Sequence, residues 1–294
     1  MKRLLSLALL IFFTFGCQSP EKKVKEQPLV VTSIPPYVSI VKAIVGNTME
    51  VKSALGIDFD PHVAEPTPRE MKMVQDADLF IGVGEAYEYK LVTAIQEGVR
   101  KVEVLELDEE TPLLSYSQDT HFGDVCRGGV NTFEGTKDLH FWLSPRMLII
   151  QVNILVDALT KMKSENGEVY RENGNMLIEK LKELDHQIEE KLHPYQNRAI
   201  IVSHPALGYY CHDYHLIQIA IECEGKSPLP KNVHHILDLA KSSNPICALT
   251  APQFNNRGAE MIAEKLNLRV ESFNPMGEYP LQTLQQLTDA ITDR

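Results

Sequence analysis

From residue 29 onward, short apolar runs alternate with amphipathic stretches. The runs at 29–33, 49–55, 79–83 and 102–107 have strand length and are rich in Val, Leu and Ile, whereas 36–46, 68–76 and 86–96 space their apolar residues at helical intervals. Pro35-Pro36 opens the first of these helices and Gly46 closes it, because proline suits a helix start and glycine a helix end. From 144 the period stays helical for longer: 145–162, an interruption at Asn166-Gly167, then 170–192. Met176, Leu177, Leu181, Leu184, Ile188 and Leu192 line one face of the last stretch opposite a charged face, and Pro194 stops it. The alternation then resumes, with strands at 199–203, 216–222, 246–250 and 269–273, a short helix after His204, and helices at 231–241, 257–266 and 281–291.

Strands alternating with helices at this spacing predict parallel sheets covered on both faces. The expected fold is therefore α/β, with two lobes, each a mainly parallel sheet flanked by helices, joined by one long linking helix. Its boundaries are an N-terminal lobe at 29–165, the linking helix at 166–194 and a C-terminal lobe at 195–294. The segment 108–138 is irregular and holds His121, Asp124 and Cys126. It reads as a solvated excursion ahead of a loop that shields a site.

Ahead of the first strand, Lys2-Arg3, an apolar run to Phe15, Gly16 and Cys17 resemble a bacterial lipoprotein signal. Cleavage then leaves 1–16 as signal peptide, an acylated Cys17 and a polar tether over 17–28, with the protein at the outer face of the cytoplasmic membrane or in the periplasm. Thr14 and Phe15 depart from the usual residues before such a cysteine, so simple cleavage is the competing reading. No other segment is apolar enough to span a bilayer.

Across 294 residues, 29 Lys and Arg against 40 Asp and Glu give a net charge of −11. That balance argues against nucleic acid and favours a cationic ligand. Cys126, Cys211, Cys223 and Cys247 allow three pairings, and without a CxxC they do not suggest a cysteine zinc site.

The candidate chemistry lies in three histidines set in stiff contexts: Asp60-Pro61-His62, Asp138-Leu139-His140-Phe141-Trp142 and Ser203-His204-Pro205. Imidazoles held this way suit one divalent metal ion. Asp60 and Asp138 read either as loop caps or as acceptors that orient the rings. His186 and His193 lie among charges and read as solvated, His212 and His215 straddle a turn into a strand, and the adjacent rings of His234 and His235 point in different directions on a helix with one expected at the surface; none of them suggests a second site.

Taken together and in order, several stretches resemble the cluster A-I (cluster 9) solute-binding proteins, the zinc and manganese receptors of bacterial ABC importers. These are Val31-Thr32-Ser33-Ile34-Pro35-Pro36-Tyr37, Asp60-Pro61-His62 with Glu65-Pro66-Thr67-Pro68, Gly82-Val83-Gly84-Glu85, 138–145, His204-Pro205-Ala206-Leu207-Gly208-Tyr209-Tyr210 and Ala251-Pro252-Gln253-Phe254. The resemblance implies a metal at the interface of two lobes, a permease and its ATPase as partners, a monomer, and no catalysis. By position its ligands fall on His62, His140 and His204. Manganese-type members carry Glu at the third of these positions; the fourth ligand is usually an Asp before Pro, and here the pair is Asn274-Pro275. Because zinc takes imidazole nitrogen readily and manganese prefers oxygen, three histidines favour Zn2+, with Mn2+ or iron as the alternative cargo. The fourth position is then expected to fall to water, Glu65 or Asp60, with Asn274 lining the site. A zinc hydrolase using Glu65 as base is the enzymatic rival, and no HExxH, GxSxG or phosphate-binding Gly-rich loop accompanies it. A surface adhesin with incidental metal is a third reading.

Overall fold

The computed structural model describes residues 27–115, 137–221 and 230–293. Cys17, the 1–16 and most of the 17–28 segment, His121, Asp124, Cys126 and Cys223 lie outside them. Two four-stranded sheets, all parallel, form the two halves. The first contains β1 (Leu29–Thr32), β2 (Glu50–Ser53), β3 (Leu79–Gly82) and β4 (Glu103–Glu106) in the order β2-β1-β3-β4. The second contains β5 (Ala199–Val202), β6 (Ile217–Ala220), β7 (Ala248–Thr250) and β8 (Val270–Ser272) in the matching order β6-β5-β7-β8. In each, the chain reverses its winding direction beside the first strand, and ligands of open α/β sheets bind outside the carboxyl ends of the strands at such a point.

Helices cover these sheets. Alongside the first lie α1 (Pro36–Val45), α2 (Pro68–Asp76) and α3 (Glu88–Glu97), followed by the short α4 (Leu107–Glu110). The helical middle is α5 (Pro145–Met162) and the long α6 (Gly167–Leu192), and the second half carries α7 (Gly208–Asp213), α8 (Pro230–Ser242), α9 (Arg257–Leu266) and α10 (Pro280–Thr292). Local chemistry fixes several starts. Thr67 and Glu70 form a reciprocal capping box around Pro68, and Ser144 caps α5 ahead of Pro145. The turn α4 lies in a stretch with no apolar period, which is why the pattern predicts an irregular segment there.

The core is continuous from the first sheet through α1, α5 and α6 to Leu207, Tyr210, Leu284 and Leu287 of the second half. A smaller cluster around Ile201, Ile219, Ile236 and Ile262 sits under α8 and α9. On α6, Leu177, Leu181, Leu184, Ile188 and Leu192 are buried as their spacing predicts, but Met176 is 53% exposed. Gly174 lets α6 approach α5, since a Cβ there would meet the Val156 side chain at 2.5 Å. Among the described residues no helix is long and apolar enough to cross a membrane.

Cross-links tie the halves together. Trp142 Nε1 donates to the Pro275 carbonyl (2.8 Å), Ser144 Oγ to Asp213 Oδ2 (2.6 Å) and Ser39 Oγ to the Glu278 carbonyl (2.5 Å). The Tyr209 hydroxyl accepts from Leu114 N–H and donates to the Asp138 carbonyl, so it holds both ends of the chain around 115–137.

Candidate metal centre

His62 lies in the turn-rich loop after edge strand β2, His140 in the turn that leads into α5, and His204 directly after β5. Pro61 and Pro205 flank two of them, and the Asp60 and Asp138 carboxylates accept the backbone N–H of the residue two ahead, His62 and His140 (2.9 Å each). Those short turns hold each backbone while the ring projects. The structure brings the three imidazoles together. His62 Nε2 is 3.0 Å from His204 Nε2, which is 3.3 Å from His140 Nε2. The candidate ligand atoms all fall within 4.8 Å of one another. Two nitrogens bound tetrahedrally to one zinc at ordinary Zn–N distances stand about 3.3 Å apart; the His204–His140 pair has that spacing and the His62–His204 pair is slightly closer.

Behind the rings stand two buried carboxylates. Glu85 Oε2 is 3.0 Å from His62 Nδ1, and Asp138 Oδ1 is 2.8 Å from His140 Nδ1. A carboxylate on Nδ1 fixes the proton there and leaves the Nε2 lone pair for a metal. His204 is held differently: its ring stacks on Phe254 with centroids 4.1 Å apart and 14° between planes. Burial, then the neighbouring His140 and His62, holds its pKa well below the ordinary histidine range, so it too is a neutral donor. Trp142 packs 5.3 Å from His140 and completes an apolar wall. The set is graded in exposure: His140 is buried, His204 part-buried and His62 open to solvent.

The other candidates make contacts of their own. Glu65 is exposed and ion-paired with Lys90. Asp60 engages the His62 backbone, not its ring. Asn274 Oδ1 accepts from Gln253 Nε2 (2.7 Å) and Met276 N–H (2.9 Å), and Gln253 Nε2 also donates to the Ile57 carbonyl of the first half. His186, His193, His212, His215, His234 and His235 are all exposed. Cys211 and Cys247 are free and buried, and burial pushes both thiols up, which makes them inert.

Glu85 and Phe254 are the residues that sequence reasoning gives no role. Each follows a strand beside the reversal point, Glu85 after β3 and Phe254 after β7. The rule that such loops carry ligands was the available signal. Gly84 precedes Glu85 with φ +90°, a left-handed backbone that glycine adopts freely, and a Cβ there would meet Asp108 at 2.6 Å.

Comparison with known proteins agrees with this fold. A Chlamydia muridarum protein assigned as metal-binding is 27% identical over 289 residues, 98% of this chain and 99% of its own. The zinc-binding protein AdcA of Streptococcus pyogenes serotype M3 is 30% identical over 231 residues, 75% of this chain; the chain spans only 45% of AdcA. A crystal structure of ZnuA superposes with a TM-score of 0.80 at 23% identity, covering 91% of this chain and 99% of that one. The family model described as ZnuA, zinc-uptake complex component A, periplasmic, matches residues 30–293. A parallel α/β pair of sheets with three converging imidazoles, matched end to end by that model, places the chain in the ZnuA family of zinc-uptake components.

Proposed function

We propose that this protein captures a divalent transition metal, zinc first, on His62, His140 and His204 in a groove between its two lobes, and delivers it to the permease and ATPase of an ABC importer. The ion is cargo. The lobes are 29–165 and 195–294 with 166–194 as a stiff link, and the protein acts as a monomer outside the cytoplasmic membrane, tethered through a lipid on Cys17.

The observation that carries this reading is the spacing of the Nε2 atoms, 3.0 and 3.3 Å, with Nδ1 of two rings already occupied by carboxylates. Imidazole nitrogen without a coordinating carboxylate favours zinc over manganese. A site with three protein donors and water in the fourth position also binds less permanently than a closed four-ligand one, as a delivery protein requires. The hydrolase alternative needs a base beside the metal, and its candidate Glu65 is held by Lys90.

The test is elemental analysis of the purified protein, then zinc titration of wild type and of His62→Ala, His140→Ala and His204→Ala. Trp142, the single tryptophan, reports binding through its contact with His140. Each variant is expected to lose about a hundredfold in zinc affinity or more, a quarter share of a typical four-ligand zinc site, with its fold intact. Unchanged affinity in any variant removes that residue from the site.

A further inference from the structure

All three ring donors are uncharged ligands, and residue 274 is an amide. A dication taken from water into a partly buried pocket needs negative charge close by, and no ring supplies it. The structure holds that charge one step back. Glu85 and Asp138 touch His62 and His140 through Nδ1, with side chains only 2% and 1% exposed. Each keeps a second buried oxygen, Glu85 Oε1 and Asp138 Oδ2, with no hydrogen-bond partner among the described residues. Nor is either carboxylate paired with a Lys or Arg among those residues. Among the described residues the only basic groups against them are the imidazoles themselves, and a ring that binds a metal through Nε2 while donating from Nδ1 is neutral, so in the loaded site the ion is the positive charge these two buried anions face. Two nearby carboxylates in the sequence are otherwise engaged: half-buried Asp60 accepts from the His62 backbone N–H and exposed Glu65 is ion-paired with Lys90.

We propose that Glu85 and Asp138 set the charge selectivity of the site: from behind His62 and His140 they neutralise a doubly charged ion and disfavour singly charged ones. With three neutral imidazoles, a 2+ ion brings the cluster to zero, while a monovalent soft cation, which imidazole also binds, leaves it at −1. The site therefore prefers divalent ions without a coordinating carboxylate. This inference rests on the three histidines holding the ion.

Glu85→Gln and Asp138→Asn separate charge from positioning, because each amide retains an oxygen that accepts from Nδ1 and keeps the ring and its tautomer in place. Zinc and silver(I) are titrated, in chloride-free buffer, against wild type and each variant. Removing one charge costs a 2+ ion twice the Coulomb energy it costs a 1+ ion at the same place, so the fold-loss for zinc is the square of that for silver. Groups behind metal-binding histidines contribute about 10- to 100-fold to metal affinity, so zinc should weaken by about that factor and silver by about 3- to 10-fold. Equal fold-losses for the two ions would mean that the carboxylates merely hold the rings, and would overturn the proposal. Unchanged zinc affinity would do the same. Should Glu85→Gln fail to fold by circular dichroism, Asp138→Asn makes the same comparison at the other imidazole. Wild type that binds neither ion would overturn the three-histidine reading and this inference with it, an outcome distinct from a failure confined to the variants.

Discussion

Glu88 is the clearest place where folding chemistry can be measured apart from metal. It is the first residue of α3 and folds its carboxylate back onto the loop after β3, where both oxygens lie 3.1 Å from Val83 N–H and Oε2 lies 3.1 Å from Gly84 N–H. It is only 4% exposed. Burial outweighs those hydrogen bonds and raises its pKa from 4.5 to about 7. A carboxyl whose folded pKa is raised adds stability that is fully present below its unfolded value and is lost as pH climbs through the folded value. Between pH 5 and pH 8.5 this residue therefore removes roughly 2–3 kcal/mol from the stability of the native state. Glu88→Gln keeps an acceptor for the loop and abolishes the titration. Urea denaturation of metal-free protein, followed by Trp142 fluorescence, should show the variant gaining roughly 2–3 kcal/mol on wild type when the pH is raised across that range. A stability difference that is the same at both pH values would refute the reasoning.

Two further outcomes follow from named contacts. Asn274→Asp keeps an oxygen to accept from Gln253 and Met276 while adding an anion; on the reading that residue 274 lines the site, zinc affinity measured against a competing chelator should rise by about tenfold or more, and unchanged affinity would place residue 274 out of electrostatic reach. Ser144→Ala removes the cap on Met147 N–H together with the bond to Asp213 that crosses between the halves. The urea midpoint should fall by an amount equivalent to roughly 2–3 kcal/mol, and a loss below about 0.5 kcal/mol would mean that neither bond contributes.

Most of the fold is legible in the sequence because its elements carry their own boundaries. Helices 68–76, 145–162 and 257–266 stand where periodicity puts them, the first two between a capping residue with proline and a clear end of pattern. Strand ends are less sharp: the apolar run 49–55 yields a ladder only over Glu50–Ser53, since pairing with β1 stops where that strand turns at Ser33. Met176 shows the limit of spacing arguments, because a residue adjacent to the buried stripe looks apolar in sequence yet faces water. The three histidines stand out through their proline and acid neighbours. Glu85 does not, because its importance comes from its distance to His62, which lies in a different loop and is brought near only by the pairing of β3 with β1 and β1 with β2.

If the three imidazoles hold the ion as proposed, their uneven exposure gives its passage a direction. His140 and His204 are anchored by the turn into α5 and the end of β5, while the solvent-facing ring hangs from a loop off an edge strand. An arriving ion would then meet that outer ring first and a departing one would leave it last, so that loading and unloading would share one doorway. On that reading, loosening the loop after β2 would open the way out while the two inner donors kept their anchors.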